Sequence, residues 1–173
     1  MAHVPTSPRL PIREASDPAP YVIAHIALDG ELSPDSPFHN IHQAWARRRT
    51  GDTPPAWDTF EFTDFRDWHS RLIISVFRDD EPDPEIRITG EAWQVVGPTN
   101  LKGLTFSQLF PRLYERQFRA HFAEIRERPL IGLCRGPLAA VDRDFVHVQV
   151  LELPVARFGY RVGGLIHCLH IDE

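Results

Sequence analysis

Histidine and cysteine are the first residues to examine for chemistry here, because the 173-residue chain has nine of one and two of the other. His167-Cys168-Leu169-His170 lies in a run that reads as a strand, where alternation sets His167 on the face opposite Cys168 and His170. Cys168 and His170 could share an ion, but a closed zinc site wants about four ligands, so the run reads as ordinary strand residues. His39 and His42 stand three apart on a predicted helix with no third ligand, which reads as a solvated helix face. Cys134 and Cys168 form no close-spaced pair, and a disulfide framework uses more cysteines. No metal site is assigned, and a reducing cytoplasm is the compartment this cysteine usage implies. The serines lack a Gly-x-Ser-x-Gly elbow, no histidine–carboxylate pairing is legible, and the glycines match neither phosphate-binding motif. Nothing in these residues argues for an enzyme, and an enzyme with a cryptic site stands only as an alternative reading.

His121 stands apart from the other histidines. It falls three after Phe118 and four before Ile125, so it borders the apolar stripe of a helix. An aromatic series surrounds it in sequence: Trp93, Phe106, Phe110, Tyr114, Phe118 and Phe122. Aromatics at helical spacing mostly fill a core, and that reading comes first. A cleft lined by the same residues is also where a small apolar ligand would bind.

The elements that must position these residues follow from periodicity and breakers. Residues 1–20, with Pro5, Pro8, Pro11, Pro18 and Pro20, read as a flexible tail. Residues 21–70 form an N-terminal extension. In it, Val22, Ala24, Ile26 and Leu28 alternate as a short strand that ends at Asp29-Gly30. A helix follows over 38–49, with Ser36 able to cap it and Phe38, Ile41 and Trp45 on one face. A second short helix is predicted over 64–71. The domain proper, 71–173, begins with a buried strand at 72–77, a proline-broken acidic turn at 79–84, and a half-buried strand at 85–89. Short helical turns carry Trp93 and Phe106. The clearest helix is 112–126, with Leu113, Tyr114, Phe118, Phe122 and Ile125 in one stripe and Glu115–Arg119 and Glu124–Arg128 spaced for ion pairs. Strands at 130–135, 145–155 and 161–171 complete the chain. Strands segregated from helices indicate α+β, five mostly antiparallel strands with helices on one face.

Composition sets bounds on function. Hydrophobic residues make up 42% and charged residues 25%, ordinary for a globular domain. A net charge of −5 argues against general binding to nucleic acid or acidic membranes. No apolar run approaches the roughly 20 residues that span a bilayer.

Several short motifs, in order, carry a resemblance. They are Trp45 with Arg48, Pro55-Ala56-Trp57, Ile86-Arg87-Ile88-Thr89-Gly90, Asn100-Leu101-Lys102-Gly103 and Leu151-Glu152-Leu153-Pro154. The chain resembles the family of short bacterial proteins built on one PAS domain, with an N-terminal helix and no output domain. The resemblance implies a five-stranded antiparallel sheet in spatial order 2-1-5-4-3. It implies a non-enzymatic sensory or regulatory role in signal transduction, exercised through a protein partner. The helix–sheet cleft, with Trp93, Phe106, Phe110, Tyr114, Phe118, His121 and Phe122, would hold any ligand. Haem-binding PAS domains offer a histidine from the corresponding helix, which makes His121 an alternative haem ligand; otherwise the cofactor is unknown. PAS-like domains often pair through the segment before the first strand and the open sheet face. Here that face is expected to present Val146, Val148 and Val150 with Ile166 and Cys168, covered in a homodimer or by the chain's own helix.

Overall fold

The computed structural model describes residues 21–79, 81–95, 100–109, 112–138, 143–157 and 159–172. The proline-rich tail, the Gly97-Pro98 break, Phe110 and the side chain of Leu113 lie outside the described residues. The chain forms β1 (Val22–Ala27), α1 (His39–Arg48), β2 (Leu72–Arg78), β3 (Glu81–Thr89), α2 (Arg112–Glu127), β4 (Leu130–Leu138), β5 (Arg143–Arg157) and β6 (Tyr160–Ile171).

The architecture is α+β, built on one open antiparallel sheet of six strands in the order β1-β4-β5-β6-β2-β3. The five expected strands keep their expected neighbours, and the arrangement is compatible with a PAS-like fold. The expected count of five is corrected to six, because β1 pairs along β4 from Val22↔Arg135 to Ala27↔Leu130. The helix over 39–48 therefore follows the first strand of the sheet and is not an extension ahead of the fold.

Helices cover both faces, not one. Under α2, Phe118, Phe122 and Ile125 meet Ile73, Val148, Val150, Leu165 and Leu169. On the opposite face, Phe38 at the start of α1 and Ile41 and Trp45 within it join Leu72, Ile74, Leu151, Leu153, Ile166 and Cys168. The indole N–H of Trp45 donates to the Pro154 carbonyl at 2.9 Å, in the stretch of β5 beyond its last pair with β4. Val148 and Val150 thus lie under α2, opposite to Ile166 and Cys168, which corrects the expected open face. The face that does carry Ile166 and Cys168 is covered by the chain's own helix. Among the described residues, the side chains of the patch on which the homodimer expectation rested are packed against the chain's own elements.

Three local expectations also change. Two short 3-10 turns at 62–65 and 69–71, preceded by a third at 57–59, replace the helix expected over 64–71. Asp67, between two of them, has a left-handed φ of 67°, which a continuous α-helix does not allow. The acidic proline segment belongs to β3, which begins at Glu81. As an edge strand with a register shift between Val76 and Arg78, β3 tolerates Pro82 and Pro84. On α2, Glu124–Arg128 pairs as expected, whereas Arg119 reaches Glu81 on β3 at 2.6 Å.

Candidate functional site

The expected ligand-contact residues are brought together, but as a packed core. Trp93, Phe106, Phe118 and Phe122 are fully buried, and Tyr114 packs at the margin. Phe106 meets Trp93 and Phe122 edge-on at centroid distances of 5.9 and 5.5 Å, geometry typical of filled aromatic clusters. Trp93 donates its indole N–H to the Arg71 carbonyl at 2.9 Å. Buried Asp83 on β3 accepts from the backbone N–H of Ser107 at 3.1 Å and from its hydroxyl, which anchors the turn carrying Phe106.

Beside this core lies a polar row that the strand register creates. His25 on β1 is opposite Gly132 on β4, Gly132 is opposite Glu152 on β5, and Glu152 is opposite His167 on β6. Gly132 contributes no side chain to that row, and His121 descends from α2 into the gap. A Cβ at Gly132 would collide with the Glu152 carboxylate and the His121 ring. Nδ1 of His121 lies 2.8 Å from Nε2 of His25, and its Nε2 meets Oε2 of Glu152 in a short charge-assisted contact. At the far end, Ser75 Oγ lies 2.7 Å from Nε2 of His167, whose ring stacks on Phe106 at 4.0 Å. Between the two halves, His167 Nδ1 and Glu152 Oε1 stand 3.5 Å apart. That is a charge contact longer than a good hydrogen bond, and among the described residues neither atom has another partner.

The row runs from solvent to core. His25 is exposed on the edge strand, while His121, Glu152, His167 and Ser75 are buried. Burial works to raise the Glu152 pKa, but the charge and hydrogen bond of His121, with a further contribution from nearby His167, bring it down to about 2. Burial holds His167 below the ordinary imidazole value, against the pull of Glu152. Burial and then the charge on His121 do the same to His25, with Glu152 opposing and Arg128 reinforcing.

These directions make stability pH-dependent with one sign. His167 binds its proton less readily folded than unfolded, so its contribution is complete above 6.5 and is lost as pH falls below that value. Glu152 contributes above 4.5 and loses that contribution as pH falls toward about 2. Urea midpoints measured at about pH 8, 6 and 4 should therefore decline in that order. A midpoint that is level across the range would contradict the placement of these groups.

Ser75, His167 and Glu152 stand in the order nucleophile, base, orienter. Yet Ser75 is only 1% exposed, so its hydroxyl has no access for a substrate in this conformation. The haem alternative does not fit the residues present. Both ring nitrogens of His121 are committed, to His25 and to Glu152, so neither offers a lone pair to an axial position. Cys134 and Cys168 are free, buried thiols whose pKa values are pushed up by burial, which removes them as nucleophiles. His167 and Cys168 do take opposite faces, as alternation implied.

His25, Glu152, His167 and Ser75 were missed as site residues, and only His121 was singled out. The one signal in the sequence was Gly132, a strand glycine of the kind that marks a close approach. No helix among the described residues is long and apolar enough to cross a membrane. Comparison with protein-family models, with curated proteins and with solved structures finds no match.

Proposed function

We propose that this protein is a regulatory module of PAS-like architecture that acts through a protein partner, its state set by the proton content of the buried polar row. The observation that carries the reading is the continuous run from exposed His25 through His121 to buried Glu152. An apolar core of the same shape is commonly as stable as a buried ion pair or more so, which makes a polar row at the core a candidate switch. Histidine supplies a charge change near neutral pH.

The switch works at the His25–His121 contact. Where His121 donates from both ring nitrogens, to Glu152 and to His25, a proton gained at Nε2 of His25 sets two N–H groups against each other at 2.8 Å. The groups around His25 are His121, Glu152 and Arg128, and among them only Glu152 offsets the added charge. The contact opens, and β1, paired only with β4 among the described residues, loosens from it. Its other edge, unpaired among the described residues, is a surface to which another chain can add a strand.

Hydrogen–deuterium exchange, corrected for intrinsic rates, tests this reading. Amides of 22–27 should exchange faster at about pH 5.5 than at about pH 8, and His25→Gln should remove most of that difference. A photo-crosslinker at position 22 in living cells should capture a protein whose yield follows the same dependence. Equal protection at both pH values in the wild-type chain would make the row a static core feature and defeat the proposal.

A further inference from the structure

The two edges of the sheet are treated differently by the rest of the chain. Along β3, the Ile86 N–H donates to the Leu104 carbonyl at 2.8 Å, and the Gly103 N–H to the Ile86 carbonyl at 2.9 Å. Glu85 forms a bridge with Thr105 in the same stretch. Pro82 and Pro84 lack donors, and Glu85 sits between Arg78 at 2.9 Å and Arg87 at 3.3 Å. A covering segment, prolines and charges are the devices that keep an edge strand from adding another chain. Among the described residues, β1 has none of them. Val22-Ile23-Ala24-His25-Ile26-Ala27 contains no proline and no Asp, Glu, Lys or Arg, and it pairs with β4 alone among those residues. Val22 is 67% exposed, Ala24, His25 and Ala27 are exposed, and Ile23 and Ile26 are half-buried.

We infer that the chain added at β1 is a second copy of this one, paired antiparallel about a two-fold axis at Ala24. In such a pair each face of the sheet continues into the same face of the other copy, so residues that meet point the same way. Ile26 packs toward the α1 side and Ile23 toward the α2 side, which sorts the strand into Val22, Ala24 and Ile26 against Ile23 and His25. With Ala24 on the axis, Val22 meets Ile26 of the second copy, and Ile23 meets its His25. The exposed valine thus gains a β-branched partner on each side of the axis, and two small alanines face each other at the centre. An axis at His25 would instead set two imidazoles against each other, where any proton gained repels. Because β1 carries no carboxylate, ammonium or guanidinium, self-pairing opposes no fixed like charges. The chain's own tail is the poorer cover, since five of the twenty residues ahead of Tyr21 are prolines, which have no N–H to give a ladder. The inference rests on the reading above in taking β1 as the edge that accepts a strand. The pair needs β1 flat on β4, so acid loosening releases the second copy and frees the edge for another partner.

Light scattering on the full chain at about pH 8, from about 1 µM to 1 mM, tests the pair. The mass should rise from 19.9 kDa toward twice that value, with a micromolar midpoint, as suits an interface smaller than the standard size. Val22→Lys should weaken association at least about tenfold by placing charge on the pairing edge, while the dilute chain keeps its melting temperature. Under mild oxidation Ala24→Cys should form an interchain disulfide, because the axis sets it opposite its own copy. Ala27→Cys, also exposed but off the axis, should not. A dimer indifferent to Val22→Lys, or linked no better by Ala24→Cys than by Ala27→Cys, would overturn the assignment. So would a monomer throughout the range, whether NMR contacts show residues 1–20 against 22–27 or a different protein is captured at position 22. A monomer with acid-dependent exchange in 22–27 keeps the proposed function and removes this inference. A dimer with equal exchange at both pH values does the reverse.

Discussion

Glu152→Ala should cost the fold about 3–5 kcal/mol, the penalty for removing one partner of a buried pair. The carboxylate is fully enclosed, with His121 against one oxygen and His167 facing the other. Its loss leaves two buried imidazoles with their polar atoms turned toward an apolar hole, each of which must find water or go unsatisfied. The double variant Glu152→Leu with His121→Leu should recover much of the loss, because matched apolar replacements of buried ion pairs are often neutral or stabilising. Urea unfolding of the three proteins separates the cases. A Glu152→Ala variant within about 0.5 kcal/mol of wild type would mean that the carboxylate is not held as described. Gly132→Ala is an independent probe, since the added methyl must displace the same carboxylate and ring. Overpacking of that kind costs about 1–3 kcal/mol.

The sequence made the strands and the long helix legible, and it hid the row. Periodicity located α2 to within a residue of its end, because a single apolar stripe with a proline stop leaves little choice. Glu152 gave no warning, since in Leu151-Glu152-Leu153 alternation reads the polar residue as facing out. That inference holds only where one side of the sheet meets water, and here α1 and α2 cover both. His121 was visible as a histidine beside an apolar stripe, but its partners stand 31 and 96 residues away in the chain. Only the register of four strands brings them together. The same ambiguity exchanged the faces of β5. Val148 and Val150 continue one alternating set, Leu151 and Leu153 begin the other, and no local pattern says which set lies under α2.

Phe118→Ala is the second change expected to have a large effect, about 3–5 kcal/mol for a fully buried ring truncated to a methyl. In a chain of this length that corresponds to a melting temperature lower by roughly 6–20 °C. Phe118 faces the sheet from the middle of α2 and meets Tyr21 edge-on at a centroid distance of 5.3 Å, with Phe122 one turn further along. Tyr21 in turn donates its hydroxyl to the Pro137 carbonyl at 2.8 Å and accepts, through its own carbonyl, a hydrogen bond from the Gln117 side chain at 3.0 Å. The ring therefore supports the start of β1 as well as the core, and its loss should raise amide exchange in 22–27 at every pH. Arg116, two residues earlier, is exposed on the opposite side of α2, and Arg116→Ala should stay within about 0.5 kcal/mol of wild type. Near-equal losses for the two variants would show that α2 presents a different face to the sheet. His121, three residues after Phe118 on the same side, would then no longer point at Gly132, and the row would lose its central member.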